Sequence, residues 1–217
     1  NAVVIALACR RLPEQQRKLG IFWGVFGAIM LRVVLIFFAL SLLAIPYLKI
    51  AGAALLIWIG IKLLQPESSE GGHEIDASTT LLGAIKTIIV ADAVMSLDNV
   101  IAIAGAAKDD LSLVIFGLVI SVPIIVWGSQ LVMKAMDRFP ITIAIGAGLL
   151  GWIAGDMVVT DVVTKAWVDS QAQYLHWIAP AVAALVVVSA GKALAARQKV
   201  VPKPIVDLAD DNTPPKQ

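Results

Sequence analysis

Long apolar runs cut by short polar stretches are the dominant pattern of this chain. Residues 1–9 are apolar but too few to cross a bilayer, and they stop at the basic stretch RRLPEQQRK, residues 10–18. Longer runs follow at 20–44, 47–64, 81–107, 111–134, 141–160 and 176–196. Uninterrupted apolar blocks of about 18 residues or more predict membrane helices rather than strands or amphipathic surface helices. Pro123 predicts a kink in the fifth run. Between the runs lie a polar loop at 65–78, a mixed loop at 161–175 and, from about 197, a proline-rich charged tail that predicts disorder.

The apolar runs also carry an internal resemblance. NAVVIALACR (1–10) aligns with NVIAIAGAAK (99–108), and PYLKIAGAALLIWIGIKLL (46–64) with PITIAIGAGLLGWIAGDMV (140–158). The second alignment pairs Pro46 with Pro140, Gly52 with Gly146 and Trp58 with Trp152. Three helices per half is an odd number, so the halves enter the membrane from opposite sides. The expected fold is all-α: a polytopic membrane helix bundle of two inverted three-helix repeats (1–64 and 81–160) plus a C-terminal seventh helix (176–196). Together they form a membrane transport domain over 1–196, with 197–217 as a disordered cytoplasmic tail. Inverted repeats place sites near the midplane where the halves meet. Small residues at Ala147, Gly151 and Gly155, and at Gly20 and Gly24, predict close helix packing.

Composition supports the class. The chain is 59% hydrophobic and 15% charged, against about 45–50% and about 25% in ordinary soluble domains. A net charge of +1 argues for no nucleic-acid partner. A single cysteine, Cys9, excludes an internal disulfide and a thiolate cluster; it is expected to be a small buried or interfacial residue. The bilayer is the expected partner, and homo-oligomerisation is left open. Arg10, Arg11, Arg17, Lys18, Lys134, Arg138, Arg197, Lys199 and Lys203 collect on one side, with Lys62, Lys86 and Lys192 near it. Lys49, Lys108 and Lys165 fall on the other. The rich side is expected to be cytoplasmic, the C-terminus with it, in a bacterial-type inner membrane. Trp23, Trp167 and Trp177 are expected as interfacial anchors. The apolar opening at Asn1 reads as a helix cut part-way, so residues upstream are expected.

Chemistry concentrates in the fourth run, where Asp92, Ser96, Asp98 and Asn99 interrupt apolar sequence. Ionisable groups at that depth are functional-site hypotheses. In a regular helix Asp92, Met95, Ser96 and Asn99 share a face and Asp98 lies about 120° away. A break at 96–99 would let both carboxylates converge. Carboxylate, amide and hydroxyl oxygens suit a hard or borderline divalent cation. Met95 is either packing or a soft ligand that favours a transition metal. Arg32, midway along the second run, needs a carboxylate partner, with Asp92, Asp98 and Asp156 as candidates, so Asp92 and Asp98 read either as cation ligands or as a structural pair with Arg32. Asp156 is either a gate or proton site or a helix-end salt bridge. Glu67, Glu70, His73, Glu74 and Asp76 read as a solvated loop or a weak ion attractor, and His176 as interfacial. No Ser-His pair or His-Glu-x-x-His appears, so an enzyme is not expected.

The stretch from Ala91 through Asp92, Ser96 and Asp98 to Asn99 resembles the TerC family of integral membrane proteins. So do the opening from Asn1, the loop from Arg10 to Arg17 and the run Gly151-Trp152-Ile153-Ala154-Gly155-Asp156. The first motif of that family carries acidic residues upstream that are absent here. The resemblance implies membership of the wider LysE-like transporter superfamily. For some members it implies export of manganese or related ions, for others tellurium resistance or membrane-protein assembly. The metal ligands expected on this footing are Asp92, Ser96, Asp98, Asn99 and Asn1, with Arg32 and Asp156 as gate or charge partners. The favoured function is efflux of a divalent cation, manganese first, by alternating access, with no tightly bound cofactor. The alternatives are an assembly scaffold and a LysE-like exporter of small solutes.

Overall fold

The computed structural model describes residues 1–43, 45–65, 80–107 and 111–197. Among them eight helices and no strand occur: α1 (Ala2–Cys9), α2 (Glu14–Leu43), α3 (Leu48–Leu64), α4 (Leu81–Ala107), α5 (Leu111–Arg138), α6 (Ile141–Val159), α7 (Lys165–Gln171) and α8 (Leu175–Arg197). Three stretches are long and apolar enough to cross a membrane among the described residues: Glu14–Leu35 of α2, the whole of α6 and the whole of α8. The basic loop expected at 10–18 shrinks to four residues, because α2 begins at Glu14. Pro13 stands just before it, where a missing N–H costs the helix nothing. The mixed loop contains α7, so the expected seventh helix is the eighth. Most of the acidic loop expected at 65–78 and the tail beyond Arg197 lie outside the described residues.

Small residues set how the helices approach one another. A Cβ on Gly155 would sit 2.5 Å from the Ala179 carbonyl oxygen and the Pro180 Cα, and one on Gly151 2.7 Å from the Ala183 carbonyl oxygen. These are backbone atoms and cannot yield, so α6 meets α8 only because both positions are glycine. Gly24 faces the Ile88 side chain across α2 and α4, a closer approach than a Cβ would allow without a shift of that side chain.

The cross-helix neighbours also give helix directions. Gly20 lies by Leu81, Gly24 by Ile88, and Arg32 by Asp92 and Ser96, so α2 and α4 run parallel. Gly52 lies by Met157 and Gly60 by Leu150, so α3 and α6 run antiparallel. Arg17, near the start of α2, meets Asp137 at the end of α5, so these two also run oppositely. One face of the molecule therefore carries Arg10, Arg11, Arg17 and the C-terminal ends of α3, α5 and α8; the opposite face carries Tyr47, Asp161 and α7.

The short helix α1 is the centre of the core. Its residues Val4 to Cys9 are all buried, and Cys9 is a free thiol within it. The outside is apolar: Trp127, Trp177 and Leu185 are 74%, 73% and 70% exposed. Such a surface suits lipid as solvent and would be a liability in water.

Candidate functional site

Asp92 and Ser96 are one helical turn apart on α4, so both face α2. Opposite them α2 brings Arg32, and a closed triangle forms. The Arg32 Nη2 donates to Asp92 Oδ1 at 2.6 Å and its Nε to Ser96 Oγ at 3.2 Å. The Ser96 hydroxyl in turn donates to Asp92 Oδ2 at 3.2 Å. All three residues are buried, Ser96 completely. Both carboxylate oxygens are thus engaged, and the guanidinium charge is neutralised where no water can do it. Of the three partners open to Arg32, the structure pairs it with Asp92. Asn1 stands at the start of α1, where its side chain makes no capping hydrogen bond. Met95 is half-buried against the apolar core.

The helix does not break at 96–99: α4 is continuous from Leu81 to Ala107. The convergence of both carboxylates through a local interruption is therefore not what the backbone does here, because its i to i−4 bonds persist past Ser96 and leave that hydroxyl for Asp92. The side chains of Asp98 and Asn99 lie outside the described residues. Asp156 sits half-buried on α6, where its carbonyl accepts bonds from the Thr160 amide and hydroxyl. His176 contacts Asp169 at 2.8 Å between Nε2 and Oδ1. Among the described residues, no group of three or more His, Cys, Asp or Glu could hold a metal ion.

One acid escaped the sequence reading. Asp161 is 1% exposed and accepts from four backbone amides, those of Tyr47, Lys49, Ile50 and Val163, at 3.0–3.4 Å. It caps the start of α3 and holds Tyr47 in a left-handed backbone conformation, φ 64°. The cap reaches across more than a hundred residues, so no local spacing could have revealed it. On the opposite face Arg10 and Arg11 close the other end of the same helix. Arg10 Nη2 donates to the Leu63 carbonyl at 2.8 Å, and Arg11 Nη2 to the Leu63 and Gln65 carbonyls. Cavities of about 480, 460 and 320 Å³ all lie away from Arg32 and Asp92.

Comparison with known proteins agrees with the geometry of a membrane bundle. The chain is 48% identical over 161 residues to the uncharacterized membrane protein YjbE of Bacillus subtilis, covering 74% of this chain and 73% of that one. It is 25% identical over 148 residues to YceF of the same organism, an uncharacterized membrane protein, covering 64% and 57%. It is 27% identical over 157 residues to the UPF0053 inner membrane protein YgdQ of Escherichia coli, covering 64% and 65%. No solved structure matches. The profile described as the integral membrane protein TerC family matches residues 1–199, and with the whole described bundle inside that match, the chain belongs to the TerC family of integral membrane proteins.

Proposed function

We propose that this protein transports a divalent metal ion across the membrane, with manganese export by alternating access as its specific activity. The observation that carries the reading is the buried Asp92–Ser96 oxygen pair on a helix of a membrane bundle, matched by a single cation, Arg32. A buried ion pair is weak as a stabilising device. Its presence at the heart of an apolar bundle fits a site whose charge has work to do. A cation that uses Asp92 and Ser96 has to displace the guanidinium. Arg32 then serves as the internal charge partner that occupies the carboxylate between transport events. Asp98, Asn99 and Asn1 are the further oxygen ligands proposed, and Asp156 a gate. The second and third helices of each half differ little in length, with α2 and α5 at 30 and 28 residues and α3 and α6 at 17 and 19, while α1 has 8 residues against 27 in α4. The opposed directions of α2 and α5, and of α3 and α6, support the inverted-repeat reading on which rocking about a midplane site rests.

Cells that express the protein should hold less manganese than control cells under manganese load, and they should grow at higher manganese. The pairwise variant Arg32→Gln/Asp92→Asn removes both charges together and should abolish this while expression in the membrane persists. Unchanged cellular manganese on expression of the native chain would remove the reading.

A further inference from the structure

On the basic face, α3 and α4 leave a slot of about 320 Å³ between them, floored by Ala8 of α1. Its walls are apolar, from Leu55, Ile59, Ala84 and Val90, while Lys62 and Lys86 stand in its lining. The C-terminal end of α3 and the N-terminal end of α4 meet here. Over the turns from Leu55 to Lys62 the slot runs about 10 Å along the helix axis. Lys62 lies over the Trp58 ring at 5.4 Å from its centroid, and that ring is 58% exposed. Lys86 is exposed and, among the described residues, makes no ion pair.

We infer that this slot binds an anionic phospholipid, with an acyl segment between Leu55 and Val90 and the headgroup phosphate at Lys62 and Lys86. The lining divides as such a molecule does. A hydrocarbon segment loses nothing by leaving the bilayer for an apolar groove. The phosphate meets two ammonium groups in the lining of the slot. Basic pockets between membrane helices recognise anionic headgroups by this combination of point charge and low dielectric. Trp58 adds an amphipathic ring at the level where headgroup and chain join. A zwitterionic lipid offers the same chain but carries its own ammonium beside the phosphate, so the lysines discriminate against it. The slot lies on the seam between α3 and α4, and a bound lipid would bridge them.

The test uses the purified full chain, delipidated in detergent and returned to vesicles containing phosphatidylglycerol or phosphatidylcholine with brominated acyl chains. Bromine quenches tryptophan on contact, and the Trp58→Phe variant isolates the signal of that ring. Phosphatidylglycerol should quench Trp58 at about tenfold lower mole fraction than phosphatidylcholine. The Lys62→Gln/Lys86→Gln variant should erase that preference, and Lys62→Arg/Lys86→Arg should restore it. Inorganic phosphate alone should compete weakly, since it lacks the chain. Equal quenching by the two lipids, or a preference that survives the double glutamine variant, would overturn the proposal. So would full competition by inorganic phosphate, which would mark a site for the free anion.

Discussion

The chemistry of this protein rests on a few buried polar side chains, each held by partners that the surrounding apolar bundle cannot replace. Arg32→Gln or Asp92→Asn alone strands a charge or a polar remnant in the core. Each single variant should lose about 3–5 kcal/mol. The double variant should recover most of that, seen as a return of the thermal unfolding midpoint in detergent. Ser96→Ala should cost about 1 kcal/mol, since the Arg32–Asp92 contact survives it. Asp161→Ala is expected to be severe despite lying in a loop. It leaves three backbone donors at the start of α3 and the Val163 amide in its own loop without their acceptor, a loss of about 3 kcal/mol or more, measured by the same melting experiment.

At the scale of elements, glycines decide which helices can touch. Gly155→Leu should separate α6 from α8 and abolish stable accumulation in the membrane, because the atoms in the way are backbone. Gly117→Ala on α5 meets nothing within 4 Å and should instead raise stability by up to about 1 kcal/mol through helix propensity. Accumulation and unfolding midpoint report both. The small-residue spacing at Ala147, Gly151 and Gly155 was legible because membrane helices leave few other reasons for it. The need of Arg32 for a carboxylate was equally legible, since a mid-span guanidinium has no route to water. Its choice of Asp92 was not, because that depends on how far α2 slides along α4. The continuous course of α4 past Ser96 was also hidden: Ser, Asp and Asn weaken a helix in isolation, yet in an apolar setting the backbone keeps its own bonds. Helix α7 and the Asp161 cap arise from tertiary contacts with no periodic signature.

For the whole molecule, the two faces of the bundle carry different charge. Arg10, Arg11, Arg17, Arg138 and Arg197 gather with the ends of α1, α3, α5, α6 and α8, while Lys49 and Lys165 stand at the far face. This division matches the loop charges read from the sequence, and on the positive-inside rule the basic face is the one expected in the cytoplasm. Cys9 is buried, so it should not react with a membrane-impermeant thiol reagent. Single cysteines at Lys18 and Ser170 should then label from opposite sides, Lys18→Cys only from the cytoplasm. Labelling of both from one side would contradict the topology.

Flux in a purified system addresses the central claim without the cell. Native protein in sealed vesicles loaded with a manganese-quenched dye should quench that dye faster than protein-free vesicles. The Arg32→Gln/Asp92→Asn variant, folded by its melting profile, should match the protein-free rate. Native protein that gives no flux above empty vesicles, or a double variant that transports as well as the native chain, would contradict the account.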